Sequence, residues 1–206
     1  MAETIPSQSA LAPLHLEARP RPDDAPVRMV EHPHLGKLLL RGDHRDSDFM
    51  NAVRGVLGMT PPLVPLGSMT VKGRVVLWLG PDEWLIACPA GAETALYAAL
   101  RAALNGVHAA LVDLTDAQTI IRVSGPRARD LIAKGCTLDL HPRSFGAGHV
   151  ARGTLAHAQI TLLQTASDGE AGGPAFDLYV GRSFAQHLWR WLEDGAREYP
   201  GGADPA

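Results

Sequence analysis

The sequence predicts an α+β fold of two intertwined ferredoxin-like halves, each of the split β-α-β kind, from three observations. The order strand, helix, strands, helix occurs twice, and corresponding points such as Arg41 and Arg122 lie 81 residues apart without repeating the sequence. Within each segment apolar residues recur at strand or helix period. A chain of 206 residues, 46% hydrophobic and 20% charged, has material for one large or two small domains, and too little charge for a coiled coil or a disordered segment.

The first half opens with a strand at Lys37-Leu-Leu-Leu-Arg41. Ser47 or a neighbouring Asp then caps a helix whose Phe49, Met50, Val53 and Leu57 share a face, and Gly58 ends it. A connection through Pro61, Pro62 and Pro65 leads to two short strands, Val75–Leu79 and Trp84–Ala87, around the turn Gly80-Pro-Asp82. Leu96, Leu100 and Leu104 mark the next helix, which stops at Asn105-Gly106.

In the second half Ala110–Leu114 and Thr119–Val123 read as strands, and Gly125-Pro126 begins a short helix that Gly135 ends. A loop from Thr137 to about Gly148 precedes strands at Gly153–Leu155, Gln159–Leu163 and Phe176–Val180. Ser183-Phe-Ala-Gln186 has the pattern of a capping box for the last helix, with Phe184, Leu188, Trp191 and Leu192 as its apolar face. Residues 1–28, with five prolines, read as an extended Pro-rich arm, 29–198 as the α+β domain, and 199–206 as a flexible tail. Within the domain the halves fall at about 35–108 and 109–198.

A net charge of −3 gives no attraction for polyphosphate, so nucleic acid is set aside. Two cysteines make no disulfide framework, and no leader-like or membrane-length apolar run stands out, so a cytoplasmic protein with no membrane contact is expected. Gly146-Ala-Gly-His-Val-Ala151 matches a dinucleotide fingerprint in letters only, because a loop precedes it and a strand follows. Nine histidines and Cys136 show no zinc spacing, so no metal site is expected. No Gly-x-Ser-x-Gly occurs, and a Cys-His dyad is a reading that demands a depressed Cys136 thiol. Asp113, Asp116, Asp139 and Asp177 sit at strand edges or turns, where capping of local backbone donors is the favoured account.

The four tryptophans are more telling. Trp78 and Trp84 flank one turn, whereas Trp189 and Trp191 point about 200° apart around a helix. One of the latter pair then faces a second surface, either solvent or a partner.

Trp78-Leu-Gly-Pro-Asp-Glu-Trp-Leu85, Leu111-Val-Asp-Leu-Thr115, Arg122-Val-Ser-Gly-Pro-Arg-Ala128, Gly135–His141 with Phe145, and Arg182-Ser-Phe-Ala185 with Trp189-Arg-Trp-Leu192 resemble the gamma subunit of heterotetrameric sarcosine oxidase. The resemblance covers about residues 35–198. It implies a non-catalytic accessory subunit of a complex that oxidatively demethylates sarcosine to glycine with oxygen and tetrahydrofolate. By the same resemblance the alpha, beta and delta subunits are the partners, FAD, FMN, NAD and zinc belong to them, and this chain holds no cofactor or catalytic residue. Trp78, Asp82, Trp84, Phe145, Arg182, Phe184 and Trp189 are then the candidate fold or subunit-contact residues. Arg182 either bonds a carboxylate across an interface or lies exposed.

Asp113–Leu131 is also similar to a segment of the folate-binding aminomethyltransferases, the T-proteins, which implies their fold and an alternative reading as a stand-alone folate-binding or aminomethyl-transfer protein. Those enzymes carry a paired-Asp segment after glycines. The comparable stretch here, Gly153-Thr-Leu-Ala-His-Ala-Gln-Ile160, has none, so no catalytic carboxylate is carried over.

Overall fold

Alternation along the strands sorts side chains between a helix-covered face and a face that meets a second sheet. The computed structural model describes residues 7–16 and 25–199. In chain order the elements are β1 (Arg28–His32), β2 (Gly36–Gly42), α1 (Ser47–Leu57), β3 (Ser68–Val71), β4 (Arg74–Gly80), β5 (Glu83–Cys88), α2 (Glu93–Ala103), β6 (Ala109–Asp113), β7 (Gln118–Ser124), α3 (Ala128–Ala133), β8 (Val150–Leu155), β9 (Ala158–Ala166), β10 (Ala175–Gly181) and α4 (Ala185–Ala196).

They form two antiparallel sheets, ordered β3-β4-β5-β2-β6 and β1-β7-β10-β9-β8. In the first, β5-α2-β6 is a split β-α-β unit with β2 between its strands. The second follows the same order, but α4 is the last described element, and the strand in the place that β6 takes in the first sheet is β1. The expected boundary at 108/109 therefore does not separate the sheets. β6 pairs with β2 in the first sheet, and β1, which precedes both expected halves, completes the second. The halves are intertwined through these exchanged strands.

Three layers of apolar contact follow. Trp84, Ile86, Leu38 and Leu40 pack under α1 and α2, and Ile121, Phe176, Leu178 and Val180 pack under α3 and α4. Between the sheets, Leu77, Leu85 and Ala87 meet Ile120, Val150, Leu163 and Tyr179. The residues on successive strand positions, Leu85 and Ile86 or Ile120 and Ile121, go to different layers as the pleat requires.

Local signals hold at α1, where the Asp46 carboxylate accepts from the N–H groups of Asp48 and Phe49 at 2.9 and 3.4 Å, and Gly58 closes the helix at φ 76°. They fail at α4. Ser183 already lies in a 3-10 turn, Arg182–Phe184, and the N-cap is Phe184 with no side-chain bond, because the Arg182 N–H is held by the Ala117 carbonyl at 2.9 Å. The buried face of α4 is Ala185, Leu188, Trp189, Leu192 and Ala196. Trp191 also packs on this core, its ring over Gly135, where a Cβ would come within 2.6 Å of it. The angular argument assumed a core on one side of α4; the end of α3 extends it.

The N-terminal arm, expected to be extended, is folded where it is described. Residues 12–14 make a 3-10 turn, and Ala10, Leu11, Leu14 and Leu16 are buried in the core of the second sheet. Ser9 donates to Glu31, which also accepts from Thr119 Oγ1 at 2.8 Å, so the segment is bonded to β1 at a residue that β7 also holds. The rest of that arm, and the tail beyond Tyr199, lie outside the described residues. None of the described helices is long and apolar enough to cross a membrane.

Lys37 is fully buried, its ammonium donating to the Leu35 carbonyl. Burial pushes its pKa down, against the opposing pull of Asp113, Asp116 and Glu93.

Two outcomes are expected. Leu11→Ala, at a side chain 1% exposed, should cost about 2–4 kcal/mol in urea unfolding if the arm belongs to the core. Because the folded-state pKa of Lys37 lies below the unfolded value, the unfolded chain binds more protons between the two, and stability rises with pH up to about 10.4. Lys37→Met removes this titration, so urea unfolding between neutrality and that pH should show a shallower rise of stability with pH in the variant than in the parent.

Candidate functional site

Among the described residues no group of three or more His, Cys, Asp or Glu side chains is placed to hold a metal ion. Burial pushes both thiols, Cys88 and Cys136, above their ordinary pKa, the opposite of what a nucleophilic cysteine needs. The carboxylates have local work. Asp113 accepts from the Thr115 N–H at 2.8 Å and Asp139 from the His141 N–H at 3.0 Å. Asp177 takes a bidentate contact from Arg122 at 2.7 and 2.8 Å.

The structure disperses the seven candidate residues. Trp84 is fully buried, its ring centroid 5.8 Å from that of Phe49 and its indole N–H donating to the Pro62 carbonyl at 2.8 Å; Trp78 stands opposite it in register, half-buried. Asp82 pairs with Arg41 at 2.8 Å, which lowers its pKa, while its carbonyl accepts from the Gly42 N–H at 3.0 Å, closing the turn onto β2. Phe145 is a core residue whose carbonyl accepts from Arg129 at 3.2 Å. Arg129 also clamps Asp168 and the Leu140 carbonyl, fixing the loop between α3 and β8. Trp189 is buried, with its indole N–H unpartnered among the described residues. Arg182 lies exposed, one of the two outcomes expected of it, and it also donates to the Gln8 carbonyl at 2.7 Å, which ties it to the N-terminal segment. Of the seven, Phe184 alone is a large apolar side chain classed as exposed, at 50%.

A surface feature that the sequence reading passed over is the loop between α1 and β3. Of the six exposed large apolar residues among those described, four fall in seven positions: Leu63, Val64, Leu66 and Met69. No charge occurs from Met59 to Val71. Pro61 and Pro62 are buried, and Trp84 fixes the Pro62 carbonyl. On the far side the Leu66 carbonyl accepts from the Val150 N–H at 2.8 Å, Ser68 Oγ donates to the Gly148 carbonyl at 2.7 Å, and the Gly67 N–H closes a turn on the Val64 carbonyl at 3.0 Å. Gly67 is required there, since a Cβ would stand 2.9 Å from that carbonyl oxygen.

Leu66 adopts φ 63°, a left-handed conformation that costs a leucine about 1–2 kcal/mol. The loop is thus pinned at both ends, strained, and apolar toward solvent, which is the make-up of a contact surface. A sequence signal for it existed: a run without charge in a connection, where polar residues are the norm.

A sequence model of the sarcosine oxidase, gamma subunit family matches residues 41–198. The sarcosine oxidase subunit gamma of Corynebacterium sp. (strain P-1) is 37% identical over 139 residues, 68% of this chain and 64% of that protein. The match therefore spans somewhat under two thirds of the length of such relatives. In three dimensions the chain is similar to a chain of heterotetrameric sarcosine oxidase from Corynebacterium sp. U-96, solved in complex with pyrrole 2-carboxylate, with 28% identity, a TM-score of 0.81, and 97% and 99% of the two chains covered. It shares the fold of the glycine cleavage system aminomethyltransferase T of Bartonella henselae, at 15% identity and TM-score 0.60, over 86% of this chain and 47% of that one. With the gamma-family model matching residues 41–198, from the end of β2 through α4, the chain belongs to the sarcosine oxidase gamma subunit family.

Proposed function

We propose that this chain is a non-catalytic accessory subunit of a heterotetrameric sarcosine oxidase, the complex that oxidatively demethylates sarcosine to glycine with oxygen and tetrahydrofolate. Its partners are the alpha, beta and delta subunits, which carry the FAD, FMN, NAD and zinc, and it packs on the folate-binding part of the large subunit. The observation that carries this reading is the near end-to-end correspondence with a chain of a heterotetrameric enzyme. The anchored apolar loop supports it, because Leu63, Val64, Leu66 and Met69 together make a rigid uncharged surface suited to burial against another chain.

The reading is tested by native mass spectrometry on the tagged chain purified from its own host grown on sarcosine. A yellow complex with three other chains is expected, and a lone colourless monomer would sink it. The loop is tested by two substitutions with opposite effects. Val64→Glu, at a side chain 73% exposed, should leave the thermal stability of the chain within about 0.5 kcal/mol and remove it from the complex. Leu66→Asn should raise stability by roughly 0.5–1 kcal/mol, by relieving the left-handed leucine, while weakening assembly. Retained assembly in both variants would relocate the contact.

The shared fold with aminomethyltransferases favours one alternative, a stand-alone folate-binding or aminomethyl-transfer protein. Its test is calorimetry with tetrahydrofolate on the isolated chain. Micromolar binding would promote it, and absence of heat at far higher ligand would end it.

A further inference from the structure

The outer strands of the two described sheets are β3 and β6 in the first and β1 and β8 in the second, and all but β6 are covered or guarded. β1 carries Arg28, Glu31 and His32, and its Glu31 is bonded by the N-terminal segment. Along β8 lie residues 135–137: Cys136 bridges to Leu155, the Thr137 N–H donates to the Thr154 carbonyl at 3.0 Å, and the Ala156 N–H donates to the Gly135 carbonyl at 3.2 Å. β3 begins in contact with the second sheet, where Gly67 bridges to His149 and Ser68 Oγ donates to the Gly148 carbonyl at 2.7 Å. Charge and cover are the devices by which a sheet edge escapes further pairing. β6 has neither. From Ala109 to Val112 it carries no charge and no proline, its register with β2 has no bulge, and β2 is its one neighbour among the described strands.

The ladder fixes which backbone groups of β6 are open. The Leu114 N–H donates to the Lys37 carbonyl at 2.8 Å, and bonded positions recur every second residue of an antiparallel pair, so Val112 and Ala110 turn their N–H and C=O groups to Leu39 and Arg41 of β2. Those of Ala109, Leu111 and Asp113 point away from the sheet, with no hydrogen-bond partner among the described residues. Beside that row Val112 is 46% exposed, and Ala110 is exposed as well. α2 packs on β2 and β6, and toward solvent it presents Ala95, Ala98, Ala99 and Ala102, side chains too short to hold off a neighbour.

We propose that β6 pairs antiparallel with β6 of a second copy of this chain, about a two-fold axis at Leu111, joining the first sheets of the two copies into one continuous sheet. With Leu111 opposite Leu111, Ala109 falls opposite the copy's Asp113, and all the outward N–H and C=O groups of both strands are paired. Any other antiparallel register drops Ala109 or Asp113 from the ladder. Val112 then covers the copy's Ala110, large against small, and no charge meets its like, since Asp113 stands opposite Ala109 and next to the copy's His108. A net charge of −3 per chain opposes the pairing only weakly. Any extended strand would answer the backbone, whereas this match of side chains and charge belongs to the copy. The apolar loop leads into β3, at the other end of the sheet, so the two contacts do not compete, and the proposal does not rest on which complex the chain joins. A five-residue strand falls well below the roughly 20–30 residues a side of a standard interface, so the association is weak, with a dissociation constant of about 10–100 µM.

The test is sedimentation velocity on the full chain, with any chains that accompany it on purification, from about 1 to 300 µM. A reversible shift toward twice the mass of the smallest species is expected. Val112→Lys, which guards the edge as natural edges are guarded, should raise the dissociation constant at least tenfold and leave the melting temperature within about 2 °C of the parent. Register is read by cysteines. Ala110 and the copy's Val112 form a non-hydrogen-bonded pair with Cα atoms about 4.5 Å apart, within reach of a disulfide. An equimolar mixture of Ala110→Cys and Val112→Cys chains should cross-link under mild oxidation at least fivefold more than either variant alone. A single mass at every concentration, a doubled mass that Val112→Lys leaves unchanged, or cross-linking of either cysteine to a different chain would overturn the proposal.

Discussion

Strand exchange between the two halves is the constraint on which the rest of the structure depends. A split β-α-β unit leaves its first strand with one unpaired edge, and an exposed edge is a row of unsatisfied donors and acceptors. The edge of β2 is closed by β6, laid down after α2, and the edge of β7 by β1, laid down before the first half begins. Neither sheet is complete without a segment drawn across the boundary. The N-terminal segment extends the same logic, since Leu11 and Leu14 cap the core of the second sheet while preceding every strand of the first. The apolar loop depends on this arrangement as well. Its Pro62 carbonyl is held by Trp84 of one sheet and its Leu66 carbonyl by Val150 of the other, so its shape exists only when the sheets are docked.

The layers divide the labour. The two outer cores under the helices are almost wholly apolar and supply most of the burial. The middle layer is mixed: Leu77, Leu85 and Ile120 share it with Lys37, the Arg122–Asp177 pair and the Arg152–Glu83 pair. Of these, Arg152–Glu83 reaches from one sheet to the other and favours one relative placement, whereas leucine against leucine would tolerate sliding.

Much of the fold was legible because its signals are local. Phe49, Val53 and Leu57 with Gly58 identify α1, and the Gly80-Pro-Asp82 turn identifies the β4–β5 hairpin. What was not legible is what depends on distant partners. Met29 and Val30 sit among charges, and β1 is a strand only because β7 offers an edge. β3 is four residues long and needs β4. In the N-terminal arm the prolines argued for an extended chain, but Leu11, Leu14 and Leu16 had a core to enter, and burial outweighs the turn-forming tendency of proline there. The candidate contact residues divided for the same reason: Trp84, Phe145 and Trp189 are conspicuous letters that the core uses, whereas exposure of Leu63 and Val64 follows from a single captured carbonyl, at Pro62, that no pattern announces.

Departures from local rules are informative according to what they face. Lys37 is a buried cation whose ammonium bonds the Leu35 carbonyl and is drawn by nearby carboxylates; burial still pushes its pKa down, so the fold answers its charge only in part. Leu66 is different. A left-handed leucine turned toward solvent gains nothing from the chain that strains it. A glycine or asparagine at that position would satisfy the isolated chain better. Where the caps, turns and cores of a sequence agree with its fold, residual conflict concentrates where something outside the chain completes the interaction. On that argument the loop is an incomplete interface, apolar, broad and strained for a protein surface.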